Sequence, residues 1–322
     1  MKQLSSLISQ ISVLATAVSA VSLTTAHADI LPDTSPFLRS ASPAYSPEGL
    51  ESSTGLVDPQ FTPFSPGDSD LGVQEILTVR PDVTPVHVSL GVDLHYTDNA
   101  PATLFTTSDS SALLATRLGI SWKPHLGNGW FADLGMSQEF YEFDENNALD
   151  FQNFLPYVGV VKNLVDLDDT IFYARYEYQR LTTSSFSESR YHASRVRTGL
   201  QKSLISTPRH QLSGGISAAY DLHAGPDALE RKEYAVELSY SYSFTEKLSA
   251  VAIGRSAIWD FDDFGREDTV HTAGVELIYN FRENASVSTA LYYTQNDSNS
   301  PFGANDSKAW QGGLTVGLNY SF

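Results

Sequence analysis

The chain contains no cysteine, which leaves it without disulfides or thiolate ligands and suits an oxidising compartment where stray thiols are a hazard. Positive charge is also scarce. Twenty Lys and Arg stand against 38 Asp and Glu, for a formal net charge of −18. That balance argues against nucleic acid as a partner and fits solvated acidic loops. Past the amino terminus no run approaches the roughly 20 apolar residues of a membrane-spanning helix. If the chain lives in a membrane it must do so as a closed sheet, because only helices and closed barrels satisfy every backbone group in lipid. Phosphate-binding glycine loops, zinc-ligand spacing and a nucleophile elbow are missing too, so no cofactor and no metal is expected. What remains, 322 residues with a hydrophobic fraction of 41%, would also fit one large or two ordinary soluble domains, so composition alone leaves the class open.

The amino terminus narrows the choice. Lys2 gives a short positive start, Leu7 to Val21 is mildly apolar, and Ala26-His27-Ala28 has the small-x-small form of a cleavage site. Residues 1–28 are therefore expected to be a secretory signal peptide. Residues 29–84 carry prolines from Pro32 to Pro81 among Ser, Asp and Gly, the composition of an extended periplasmic linker. Within it a short helix is expected near 68–78, with Asp68 or Ser69 as cap and Leu71, Ile76 and Leu77 as its apolar side. The segment is long enough to reach into a lumen or to lie free in the periplasm.

From residue 85 the texture becomes alternation. Val86, Val88, Leu90, Val92, Leu94 and Tyr96 face one way, and His87, Ser89, Gly91, Asp93 and His95 the other. The same two-residue period recurs near 114–123, 130–141, 211–222, 234–244, 273–281 and 286–293. Strands near 151–162, 170–180, 191–202 and 248–259 are less regular, Pro156 interrupts the first of these, and the faces of the last stay unassigned. A final strand runs to Phe322, with Leu314, Val316, Leu318, Tyr320 and Phe322 opposite Gln311, Gly313, Thr315, Gly317, Asn319 and Ser321. The expected fold is all-β: an antiparallel transmembrane β-barrel of about 12 strands over residues 85–322, preceded by the extended periplasmic segment. Aromatics gather at both ends of the apolar face, Trp122, Trp130, Phe244 and Phe281 at one and Tyr96, Phe140, Tyr178, Tyr220, Tyr234 and Tyr293 at the other, as two interfacial girdles.

With its terminal Phe322 and an aromatic two residues before it at Tyr320, the chain resembles bacterial outer-membrane β-barrel proteins of the porin-like kind. The segments Pro66-Gly-Asp-Ser-Asp-Leu-Gly-Val-Gln74 and Phe131-Ala-Asp-Leu-Gly-Met-Ser-Gln-Glu139 resemble a group of such proteins without an assigned activity. The resemblance implies an outer-membrane location in lipid, longer loops to the exterior, both barrel ends in the periplasm, and Tyr320 and Phe322 as a signal read by the barrel-assembly machinery.

The inward rows suggest what such a barrel could do. Arg117, Glu139, Arg175, Glu177, Arg195 and Arg197 line one wall, with Glu237, Arg255 and Glu276 as further lumen-lining residues, whereas the later strands turn mostly Ser, Gly, Ala and Thr inward. An off-centre space beside an Arg/Glu ladder follows. Its charges either pair and fill the interior or leave arginines exposed to bias the passage of anions or small solutes. A porin-like channel is the reading preferred here. The alternative is a closed structural or adhesion-type barrel acting through its acidic loops. A hydrolase would need Ser, His and Asp together near the outer rim, and His95, Asp98, His192 and His271 sit in no local motif of that kind.

Overall fold

Side chains that alternate every residue can serve two solvents at once, and each long strand of this protein does so. The computed structural model describes residues 86–99, 110–144, 150–164, 167, 170–183, 188–207, 209–262, 265–300 and 306–321. The expected signal peptide, the segment 29–84 with its helix at 68–78, and Phe322 lie outside the described residues. Thirteen strands form one antiparallel sheet: β1 (Val86–Thr97), β2 (Ser111–Trp122), β3 (His125–Gly127), β4 (Trp130–Phe143), β5 (Phe151–Leu164), β6 (Thr170–Thr183), β7 (Ser189–Ser206), β8 (His210–Gly225), β9 (Arg231–Ser243), β10 (Leu248–Phe261), β11 (Glu267–Arg282), β12 (Ala285–Ser298) and β13 (Ser307–Ser321). Strand β1 pairs with β13 and β2 pairs with β4, so the twelve long strands close into a barrel without a free edge. The short β3 folds back onto β4 in the turn after β2, where Gly127, Asn128 and Gly129 all take positive φ.

Both described ends share one rim, since His87 pairs with Ser321. It is called the terminal rim below, and the opposite end the far rim. The outward rows carry Leu90, Leu118, Met136, Val158, Ile216, Leu238, Val275 and Leu314, each at least two-fifths exposed, around the whole circumference. In water such a surface would drive association; against hydrocarbon it is the ordinary exterior of a transmembrane barrel. Trp122, Phe244 and Phe281 stand exposed at the terminal rim, and Tyr96, Tyr220 and Tyr234 toward the far one. Trp310, whose ring meets that of Tyr293 at 4.8 Å, adds to the second girdle. It has the parity of Leu314 and was legible on that ground alone.

Several strands run further than the alternation predicts. Strand β7 extends from Ser189 to Ser206, and irregular pairings at Ser194/Arg195 and Ser203/Ile205 absorb its extra residues. Pro156 stays within β5 and faces Met136 of β4, but the pairing with β6 skips from Phe154 to Tyr157. The missing N–H thus interrupts one ladder locally and leaves the register intact.

Candidate functional site

The lumen changes character along its length. At the terminal rim the inward residues His87, Ser89, Asn319 and Ser321 are exposed; Gly91 and Gly317 are half-buried; Asp93, His95, Thr97, Gln311, Ala309 and Ser307 are buried. Strand β11 runs the same course, from exposed Asn280 through Ile278 and Glu276 to buried Thr272, Val270 and Asp268. Along β1, β11 and β13 the interior is thus a vestibule open at the terminal rim that tapers to a packed far half, whereas on β4, β5 and β6 the same rim is filled by the buried Phe131, Val161 and Ile171. Much of that far half is apolar: Phe143, Tyr191, Leu229, Trp259 and Phe261 belong to one buried cluster contributed by strand ends from β2 to β11 and by the 3-10 turn Asp227–Leu229. Strand β10 explains why its faces resisted assignment. Its outward row holds Ala252, Gly254 and Ser256 and its inward row holds Ala257, Trp259 and Phe261, the reverse of the pattern elsewhere.

The charged wall is a connected set of ion pairs. Asp133 accepts from Nε and Nη2 of Arg175 at 3.1 and 2.8 Å. Glu177 lies 3.6 Å from Arg175 and 3.4 Å from Arg197. One oxygen of Glu233 then accepts from both Arg197 and Arg255 at 2.7 Å. Small residues let these groups meet. Gly159 is the cross-strand partner of both Asp133 and Arg175, and a Cβ there would lie 2.9 Å from the Arg175 Cα. Ala219 stands in the same way between Arg197 and Glu233. The row follows the hydrogen-bonding direction, so in a tilted barrel it climbs from near the terminal rim at Asp133 to near the far rim at Glu233.

Three further pairings complete the wall. Arg195 binds Asp221 at 2.6 and 3.3 Å, Asp221 also accepts from the Arg231 backbone, and the Arg231 guanidinium lies 4.0 Å from the Trp259 ring centre. Arg117 pairs with Asp93, which Thr315 also reaches at 2.6 Å. Glu139 accepts from Tyr141 and Asn153. At the base of the lumen, burial pushes the Lys123 ammonium below the usual lysine range against the opposing pull of Asp133.

All nine lumen residues expected from sequence face inward, and they do not form one cluster. Arg175, Glu177, Arg197 and Arg255 belong to the connected ladder; Arg195, Arg117 and Glu139 have separate partners; Glu237 pairs in register with Arg255, and Glu276 sits on the opposite wall. The sequence-based alternation near 234–244 misses Glu233 because the eighth long strand, β9, begins earlier, at Arg231; its parity with Ala235 and Glu237 is the available signal. The same alternation turns Asp93, Asp133 and Asp221 inward, and the structure makes them the partners of Arg117, Arg175 and Arg195. The histidines do not assemble: His95 is buried in the lumen 3.9 Å from Asp93, His192 lies against His223, and His271 is on the exposed exterior row.

A closed, lipid-faced, polar-lined barrel of this size defines the class as a transmembrane β-barrel with the fold of outer-membrane channels. No protein-family model matches the chain, and no curated protein matches it. Solved structures do. An outer membrane channel from Pseudomonas putida F1 superposes with a TM-score of 0.51 at 9% identity, over 73% of this chain and 95% of that one. The outer membrane channel DcaP of Acinetobacter baumannii gives a TM-score of 0.42 at 10% identity, over 73% and 96%. The NanC porin gives 0.42 at 12% identity, over 71% and 98%. At these identities the likeness is one of fold.

Proposed function

We propose that the protein is an outer-membrane channel for small polar solutes, with the terminal rim and residues 29–84 on the periplasmic side and the far rim to the exterior. One observation carries this reading. On β13 and β1 the inward residues stay polar or small from rim to rim, through Asn319, Thr315, Gln311 and Ser307 on β13, and β12 continues the stripe with Ser286, Ser288, Thr294 and Asn296 around the single ring of Tyr292. A barrel that served only as a closed plug would gain by carrying its apolar cluster across this stripe as well. The stripe instead offers a polar route beside the compensated ladder, continuous with the vestibule. Tyr320, outward and exposed, and Phe322 form the assembly signal in this reading.

The apolar cluster in the far half favours a second reading, a closed structural barrel. Planar-bilayer recording on the refolded protein separates the two. Stable, repeated current steps are expected for the channel; a folded barrel, verified by its heat-modifiable gel mobility, that stays silent at all applied voltages supports the closed form.

A further inference from the structure

We infer that the lumen selects cations over anions and that Glu237 and Glu276 set this preference; the inference rests on the channel reading. The arginines that made an anion path conceivable are not available to one. Among the described residues Arg117, Arg175, Arg195, Arg197 and Arg255 each have a carboxylate oxygen within 3.6 Å. The Arg231 guanidinium sits over the Trp259 ring, 4.0 Å from its centre. An anion moving inward meets guanidinium groups that already share their charge with carboxylates.

The acids are not matched in the same way. Arg255 stands opposite Glu237 but gives a hydrogen bond to Glu233 at 2.7 Å, and Arg117, whose charge reaches Glu276, is paired with Asp93. Glu237 is exposed in the vestibule and lies over Gly215, where a Cβ would stand 2.8 Å from its Oε1. Glu276 follows on β11, with the hydroxyls of Ser288 and Tyr292 as its neighbours. Deeper, Asp93 and Glu233 are buried to 0% and 1% exposure, yet each keeps one carboxylate oxygen without a hydrogen-bond partner. The exposed carboxylate of Glu237 and the half-buried one of Glu276, followed by two buried carboxylate oxygens without a hydrogen-bond partner, present negative potential along the inward path. The solutes this favours are monovalent inorganic cations and small ammonium or guanidinium compounds.

The cysteine-free chain allows a test that does not depend on conduction. Ser241 faces the lumen four residues from Glu237 on β9 and shares a cross-strand row with Val251 and Glu276. In a Ser241→Cys variant, cationic and anionic methanethiosulfonate reagents of similar size compete for one thiol, with rates normalised to those for a free small-molecule thiol. The cationic reagent is expected to react about fivefold faster in low salt, a ratio that falls toward one in Glu237→Gln/Glu276→Gln and in high salt. Equal rates, a faster anionic reagent, or no labelling of the folded barrel by either reagent overturns the proposal. In parallel, the reversal potential in a KCl gradient is expected to carry the sign of K⁺ preference and to shift toward zero in the double variant; chloride preference, or no shift, also overturns it. A silent bilayer with the labelling ratio intact sinks the channel reading and leaves the charge preference standing, so the two failures are distinguishable.

Discussion

Glu233→Gln tests the ladder most directly, because one buried oxygen holds two arginines. Glu233 is 1% exposed, and its Oε1 accepts from Arg197 and Arg255 at 2.7 Å each. The substitution keeps volume and one acceptor while removing the charge. Arg197 then retains Glu177 at 3.4 Å, and two guanidinium groups share the far end of the ladder without their common carboxylate. Removing one partner of a buried pair costs about 3–5 kcal/mol. The side chains of Arg197 and Arg255 are 18% and 11% exposed, so water relieves part of the loss and the lower end applies. About 3 kcal/mol is expected, roughly a hundredfold in the folding equilibrium constant. The assay is denaturant unfolding in detergent micelles followed by tryptophan fluorescence, with Trp259 beside the site as a reporter. Glu237→Gln is the matched control: same strand, same face, exposed, and expected to change stability by no more than about 0.5 kcal/mol. A Glu233 variant within about 1 kcal/mol of the parent, or indistinguishable from the Glu237 control, refutes the view that the ladder's acids are needed to hold its arginines.

Two further substitutions test the lattice itself. Gly159→Ala places a Cβ 2.4 Å from the Ala174 carbonyl oxygen and 2.9 Å from the Arg175 Cα, so backbone must move; a loss of about 2–3 kcal/mol is expected, while Gly254→Ala, with nothing within 4 Å on the lipid face, should be near neutral in the same unfolding assay. Leu238→Arg, at an outward position 51% exposed, should cost about 2–4 kcal/mol in a bilayer and far less in a detergent micelle, read from unfolding in vesicles against micelles.

The exterior was legible because lipid imposes one simple demand on every second residue. Leu90, Leu238 and Leu314 all lie where their parity put them, and so do the girdle residues Trp122 and Tyr234. The lumen obeys no such rule. An inward position can be water-facing, charged and paired, or part of an apolar cluster, and all three occur: Ser89, Arg175 and Trp259 share inward parity and nothing else. Strand β10 shows the consequence, since an interior of Ala257, Trp259 and Phe261 behind an exterior of Gly254 and Ser256 reads backwards to any rule that sends large apolar residues to lipid. Partner choice in the ladder was hidden for a different reason. Asp133 and Arg175 are 42 residues apart in the chain, and they meet only because Gly159 on the strand between them has no side chain.

That last device also accounts for the asymmetry of the lumen. Where one small residue separates two charged positions in a cross-strand row, two strand spacings of about 4.8 Å each intervene, a gap that Arg175 to Asp133 and Arg197 to Glu233 both close. On the other wall the row runs Glu276, Ala290, Gly313, His95, with two small residues in succession. Three spacings, roughly 14 Å, are more than a glutamate and a histidine can bridge along the wall. No strut forms there, the His95 ring nitrogens have no hydrogen-bond partner, and the wall stays low. A β-lattice of uniform geometry therefore builds a braced side where small residues come singly and a recessed side where they come in pairs. The same spacing that fixes the barrel's charges to one another leaves Glu276 to face whatever enters beside them.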